Sequence, residues 1–383
     1  MSPIKKPLVT LIVCGRFHFH KYVSLLSKRG VLRQFVYSYK VNQYFGLQKR
    51  YAVNFPAKEY LMYAGAKLLK KSIFYSYLSL LHQLWQLQVL IKQPGGNIAH
   101  FLVHGNCYKI MKAYKKKGII IIGEVVNVHP EYQEVLLQKE YCRYGLKYVT
   151  GEKSFSKKIA KEYKLCDYLL VPSTFIKDSL MLHGIPKDRI KVLAYGFENK
   201  TTVKSNSIIS RNQIINLLYV GQITFRKGII YLLEAVKDLK LKNVEVTLTL
   251  IGGLDKSYLP LIKPFLSTLS IKHKEHIDNK DVLSIMKEYD LLIMPSIEDG
   301  FGIVVTEALS VNLPVISTSN CGASERIING QNGFVIDAFS KEAIVDAVLR
   351  SIEYPFDFTS QNYTWDDYAG ELTKFYSEVL KTG

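Results

Sequence analysis

Short apolar runs recur along the chain, each closed by Gly, Pro or Ser and followed by a stretch with helical periodicity. Leu8-Val9-Thr10-Leu11-Ile12-Val13-Cys14 reads as a first strand that Gly15 ends, and a helix begins near His20. Asn97 to His104, Gly118 to Gly123 and Asp167 to Ser173 are further strands. Tyr108 to Lys117 is a short basic helix, and another helix starts at Thr174. Continuous apolar runs of this kind suit parallel strands covered on both faces, because a half-exposed strand would alternate. The pattern lapses over the polar residues 199–214. It then restarts with strands at Ile215 to Gly221, Val246 to Gly253, Leu291 to Pro295 and Pro314 to Ser317. In the tail, from Thr364 to Leu380, Trp365, Tyr368, Phe375 and Tyr376 repeat at helical spacing. Alternating strands and helices predict an α/β protein with two Rossmann-like, doubly wound domains in series. The boundaries expected are 1–198 for the first domain, 199–214 for a linker, 215–355 for the second domain and 356–383 for a C-terminal helix.

At 383 residues the chain is long enough for two ordinary domains, and 48% apolar with 22% charged residues describes a globular protein. Leu8 to Val13 is too short an apolar run for a signal peptide. The five cysteines are scattered and without metal spacing, as expected of reduced cytoplasmic thiols. The net charge of +18 is segregated. Residues 1–200 carry 33 Lys+Arg against 11 Asp+Glu, a net +22, while residues 201–383 carry 18 against 22, a net −4. Such a basic half suits an anionic partner, either a membrane surface or, as the alternative, nucleic acid. Between Lys71 and Lys92 no charged residue interrupts a run rich in Leu, Tyr and Gln. It is too polar for a membrane span and reads as an amphipathic helix, buried between layers or lying on a bilayer.

Candidate chemistry concentrates in Glu298-Asp299-Gly300-Phe301-Gly302-Ile303-Val304-Val305-Thr306-Glu307-Ala308-Leu309. A strand enters it, two glycines break the strand, and a helix starts near Val304. Glycines allow close approach of the main chain, and a helix start offers unpaired N–H groups to a phosphate. Asp299 and Glu307 would repel a bare phosphate, but a carboxylate also accepts sugar hydroxyls, so a nucleotide sugar reconciles both features. After the first strand of the second domain, Gly221-Gln222-Ile223-Thr224-Phe225-Arg226-Lys227-Gly228 sets two cations at a strand–helix turn, which suits a diphosphate. His129 follows the buried strand that ends at Gly123, on the expected cleft side.

The 298–309 segment resembles the donor-site signature of retaining glycosyltransferases with the GT-B fold, family 4 or group 1. That signature is an acid, seven residues, then Glu, around a Gly-Phe-Gly turn. The resemblance implies two Rossmann-like domains facing across a cleft, with the last helix returning to the first domain. It implies that Asp299 faces the donor sugar and Glu307 holds the ribose, with Gly300, Phe301, Gly302, Ile303 and Val304 forming the donor turn. Gly221, Gln222, Arg226 and Lys227 would meet the diphosphate, although Gln222 replaces an Arg that many members carry. His129 would sit near the reacting sugar, and Gly15, Arg16 and Phe17 would border the cleft. The expected catalytic set is therefore His129, Asp299, Arg226 and Lys227. His18, His20, His100 and His104 are further histidines of interest, and Gln133, Lys139, Glu140 and Arg143 line the acceptor side in this reading. The donor is a substrate, and neither a cofactor nor a metal is expected. A glycan or glycolipid acceptor and an anionic membrane surface are the expected partners, which would place the protein peripherally on the inner face of the membrane. The alternatives are a transferase acting on nucleic acid and a binder of sugar nucleotides without turnover.

Overall fold

The computed structural model describes residues 6–15, 17–40, 44–148, 153–197, 208–210, 213–278, 280–358 and 363–382. The first half runs β1 (Val9–Val13), α1 (Phe19–Lys28), β2 (Leu32–Tyr37), β3 (Ala52–Asn54), α2 (Ala57–Leu68), α3 (Lys71–Lys92) and β4 (Ile98–Leu102). It continues with α4 (Tyr108–Lys116), β5 (Ile120–Glu124), α5 (Pro130–Arg143), α6 (Lys153–Leu165), β6 (Tyr168–Val171), α7 (Thr174–Leu182) and β7 (Ile190–Val192). The second half runs β8 (Ile215–Val220), α8 (Ile229–Leu241), β9 (Val246–Ile251), α9 (Leu259–Thr268), β10 (Ile271–Lys274), α10 (Val282–Met286) and β11 (Leu291–Met294). It closes with α11 (Ile303–Leu309), β12 (Val315–Thr318), β13 (Gly333–Ile336), α12 (Lys341–Ser351) and α13 (Trp365–Thr382).

Among the described residues these strands form a seven-stranded sheet ordered β3-β2-β1-β4-β5-β6-β7 and a six-stranded sheet ordered β10-β9-β8-β11-β12-β13. Neighbouring strands pair in parallel in both sheets. Parallel sheets need cover on both faces, and β1, β4 and β11 are accordingly buried at every position. In each sheet the strand order reverses once, between β1 and β4 and between β8 and β11. Ligands of open α/β sheets bind beyond the carboxyl ends of the strands at such reversals. Both reversals face the same crevice.

The expectation for 71–92 resolves into two parts. In the second half of α3, Leu81, Trp85 and Val89 repeat every four residues and are buried against the first sheet. The first half of α3 packs on α2 and leaves Ile73, Tyr75 and Leu80 exposed.

The two halves meet closely. Ser173 Oγ donates to Gly300 O at 2.8 Å, and Thr174 N donates to Glu325 Oε1 at 2.6 Å. A Cβ on Gly300 would stand 2.0 Å from Val126 O, so only glycine permits this approach. α13 lies against α1 of the first half. Trp365 stacks on Tyr22 at 6.0 Å, Asp366 pairs with Arg29 at 2.9 Å, and the Tyr376 hydroxyl lies 2.6 Å from His100 Nδ1. The expected linker at 199–214 falls largely outside the described residues. Within it, Ile209 is buried and forms a bridge with Ile352.

Candidate active site

The crevice between the sheets holds a cavity of about 480 Å³. Phe17, His18, His104, Asn127 and Tyr195 line it from the first half. Gly221, Gln222, Arg226, Lys227, Asp299, Phe301, Gly302, Ile303 and Val304 line it from the second. Local folding explains this gathering. β8 ends at Val220, and Phe225–Lys227 then makes one tight turn before α8, which delivers both cations to the cavity wall. β11 ends beside β8, and the chain crosses the carboxyl edge to Asp299. The backbone of Asp299 is pinned on both sides: its N–H donates to Asn320 O, and its carbonyl accepts from Gly322 N, each at 2.9 Å. Gly302 takes φ +76°, a left-handed conformation that a side chain would strain, and this turns the chain into α11.

The charges arrive already paired. Lys227 Nζ forms an ion pair with Asp299 Oδ2. Arg226 Nη1 donates to Glu298 Oε2 at 2.9 Å and to Glu298 O at 3.0 Å. Glu298 is fully buried, and its Oε2 also accepts from Gln133 Nε2 of α5 at 2.5 Å. Two cations thus face two carboxylates. An incoming dianion would draw Lys227 away from Asp299 and release that carboxylate for hydroxyl groups. Arg226 is held more firmly, by a buried partner that is itself tied to the opposite half.

Across the crevice, burial lowers the pKa of His18 and of His104, which favours neutral imidazoles. The loop carrying His104 is organised by Glu162 of α6. This buried carboxylate accepts from the main-chain N–H groups of His104 at 3.2 Å, Gly105 at 2.8 Å and Cys107 at 2.5 Å. Burial raises its pKa to about 7 despite those donors. A second cavity, about 110 Å³, lies wholly in the first half. It shares His104, Val126 and Asn127 with the crevice and extends to Gln133, Glu134 and Tyr163.

Several residues singled out from sequence lie elsewhere. His129 is not in the crevice lining. It caps α5, where its ring accepts from Glu131 N at 3.3 Å, and it stacks on His183 at 4.1 Å. Its main-chain N–H donates to Ser179 Oγ at 3.0 Å. The chain leaves the crevice at Asn127, two residues earlier, and Pro130 turns it into the helix. His129, Glu131 and His183 are the one group of potential metal ligands found among the described residues, and it lies away from the crevice. Its two rings are stacked 13° from parallel, which puts their nitrogen lone pairs in near-parallel planes instead of aiming them at one point.

Gly300 serves the contact between halves, and Gly15 is not part of the cavity wall. Glu307 is half-buried one turn beyond Ile303 and Val304, outside the lining. Arg16 lies outside the described residues. Glu140 and Arg143, expected on the acceptor side, instead join the halves. The Tyr231 hydroxyl donates to Glu140 Oε1 at 2.5 Å and accepts from Arg143 Nη1 at 3.0 Å. Leu102, Val126, Asn127 and Tyr195 were not singled out. The ends of the apolar runs at 98–102 and 120–124 were the available signal for the first three, because parallel strands put their carboxyl ends at a crevice. Nothing local marks Tyr195.

Residues 202–365 match the family described as "Glycosyl transferases group 1". Over 203 residues the chain is 28% identical to the capsular polysaccharide biosynthesis glycosyltransferase CapM of Staphylococcus aureus. That match covers 48% of this chain and 52% of CapM, so the chain spans about half the length of this curated relative. In structure it is similar to sucrose-phosphate synthase from Thermosynechococcus elongatus, with a TM-score of 0.71 at 13% identity, covering 99% of this chain and 100% of the other. It is also similar to Anabaena HepE in complex with UDP and glucose, with a TM-score of 0.59 at 14% identity, covering 98% and 97%.

Proposed function

We propose, from the match of residues 202–365 to the glycosyl transferases group 1 family and the GT-B fold shared with the solved structures, that the chain transfers a sugar from a nucleotide-sugar donor to a glycan or glycolipid acceptor. The observation that carries this reading is the Lys227–Asp299 ion pair in the crevice wall, beside the start of α11 and opposite His104 and Asn127. A donor diphosphate replaces Asp299 as the partner of Lys227, and Asp299 then accepts hydroxyls of the donor sugar. Arg226 and the N–H groups at the start of α11 add to the field on the leaving group. Glu307 holds the ribose, one turn further along α11.

In the transfer, the bond from the anomeric carbon to the diphosphate oxygen breaks, and the acceptor hydroxyl forms the new bond on the same face. The acceptor proton passes to the departing phosphate oxygen. Asp299 is engaged with hydroxyls of the donor sugar, and Glu298 is buried behind Arg226. Same-face attack retains the configuration, as the resemblance to the family implies. The small cavity reached through His104 and Asn127 is the acceptor side. CapM is named for capsular polysaccharide biosynthesis and the HepE structure holds UDP and glucose, which supports a glycan acceptor and a nucleotide-sugar donor. Residues 1–198 act as the acceptor domain and 215–355 as the donor domain, with 199–214 between them and 356–383 returning to the first. The site of action is the cytoplasmic membrane face.

The test is thermal shift with UDP-, GDP- and ADP-sugars, followed by donor hydrolysis and transfer. A bound donor raises the melting temperature in proportion to its affinity. The expected result is one preferred base, with the shift lost in Glu307→Ala. No stabilisation by any nucleotide sugar would overturn the proposal.

A further inference from the structure

The hairpin of α2 and the first half of α3 stands clear of the body of the protein, and its position follows from helix lengths. α2 begins directly after β3, at the carboxyl edge of the first sheet. Its base is anchored there: Glu59 accepts from Ser38 Oγ at 2.7 Å, and Lys58 Nζ lies 3.4 Å from Cys14 Sγ. Those partners follow β2 and β1, so they belong to the same edge. α3 must end at the opposite edge, where β4 starts. Its buried part, Leu81 to Lys92, is long enough to cross the sheet, about 18 Å at 1.5 Å per residue. The preceding turns, from Lys71 to Leu80, therefore extend roughly 15 Å past the carboxyl edge, alongside α2. The helices are locked together by Gly65, where a Cβ would come within 2.4 Å of the Tyr77 ring, and by the Tyr77 hydroxyl donating to Leu61 O at 3.1 Å.

This projecting tip is apolar outside as well as inside. Leu68 is 82% exposed, and Leu61, Ile73, Tyr75 and Leu80 are exposed with it. An open groove of about 540 Å³ runs between the helices, lined by Ala64, Gly65, Leu68, Leu69, Ile73 and Leu80 among others. Two exposed lysines, Lys67 and Lys70, flank the apolar tip. Residues 57–92 contain five Lys and one Glu. The single acid, Glu59, is at the base and pairs with Lys58 at 2.6 Å. No described helix is long and apolar enough to cross a membrane, so insertion would be shallow. The base of the hairpin is also close to the acceptor side. Burial, followed by Lys58, Lys158 and His104, lowers the pKa of His82 to about 4, which places α3 within electrostatic reach of the crevice histidine.

We propose that the α2–α3 hairpin docks on an anionic lipid bilayer, with Leu68, Leu69 and Ile73 entering the acyl boundary and Lys67 and Lys70 meeting lipid phosphates. Apolar burial and attraction to anionic lipid are the two terms that hold an interfacial helix, and the tip presents both. The docking presents the acceptor side of the crevice to the membrane; only that consequence rests on the transferase reading.

The test is flotation of the full chain with phosphatidylglycerol vesicles and, separately, phosphatidylcholine vesicles. The wild type is expected to float with the anionic vesicles. Lys67→Gln with Lys70→Gln should weaken that binding by about 25-fold, roughly fivefold per lysine. Leu68→Glu with Ile73→Glu should abolish it. All four residues project outside the core, and melting curves check that the variants fold. Wild type that stays unbound on anionic vesicles, or equal binding by the Leu68→Glu/Ile73→Glu variant, would overturn the proposal. So would a dimer in solution that the same variant disperses while vesicles are ignored, because the tip would then serve a second copy of the chain. Donor thermal shift in the same samples separates the two readings: lost flotation with intact donor binding defeats the docking alone.

Discussion

The two sheets have the same winding and opposite electrostatics. The six-stranded half is close to neutral and holds its charges in pairs, Lys227 with Asp299 and Arg226 with Glu298. The seven-stranded half carries the excess positive charge, with exposed lysines clustered on α4 and α6, while its crevice wall offers neutral groups such as His104 and Asn127. A half that binds a charged small molecule needs counter-charges that hold each other until the ligand arrives, since an unpaired charge in a partly dry wall is costly. A half that meets a large anionic surface needs many exposed cations and little internal order among them. The difference in charge pattern therefore separates a pocket of paired charges from the face proposed to dock on lipid.

Four experiments test this contrast. The largest effect is expected from Lys227→Ala, which should lower turnover by about 10² to 10³-fold by removing a cation from the leaving group. Steady-state transfer measured with the donor identified by thermal shift would check it, and near-normal turnover would mean that the pair with Asp299 is only structural. Next, Glu298→Gln should destabilise the protein by about 3 kcal/mol, because Arg226 loses the buried partner that offsets its desolvation. Chemical denaturation reads this, and the double substitution Arg226→Met with Glu298→Met should recover part of the loss. Third, Gln133→Ala removes a hydrogen bond between the halves and should cost roughly 1 kcal/mol. Chemical denaturation reads this as a small loss with the crevice still closed, because the contacts of Ser173, Thr174 and Tyr231 continue to join the halves. The smallest effect concerns pH. Burial, with His183 second, lowers His129 to about 4 against an ordinary 6.5. Between those values the unfolded chain binds a proton that the folded one refuses, so stability falls as pH drops from about 6.5 to about 4. His129→Phe should reduce the fall in melting temperature across that window, the remainder coming from groups such as His82, without changing turnover at pH 7. A turnover loss would return His129 to the site.

Much of the crevice wall of the second half could be read along the chain because it lies in one contiguous turn. Asp299, Phe301, Gly302, Ile303 and Val304 are neighbours in sequence, and the strand–turn–helix that carries them is a local structure with local signals. The same holds for Gly221, Gln222, Arg226 and Lys227. The crevice wall of the first half has no such segment. Leu102 and His104, Val126 and Asn127, and Tyr195 come from three separate strand ends, and only the parallel order of β4, β5 and β7 brings them together. His129 stands outside the crevice lining for a related reason: it follows β5 closely in sequence, but it caps α5, and Pro130 turns the chain there.

Hydrophobic period and turn residues by themselves determined the class of fold, two repeats of parallel strand and helix, since burial on both faces writes an unbroken apolar run and glycines mark the carboxyl ends. They also marked the strand ends that line the crevice. Tertiary structure alone decided the pairing of charges, because Glu298 and Asp299 are adjacent in sequence yet point to different cations at different depths. It alone divided α3 into a buried half and a projecting half, since the helix continues past the sheet edge, where α2 covers only part of its apolar surface.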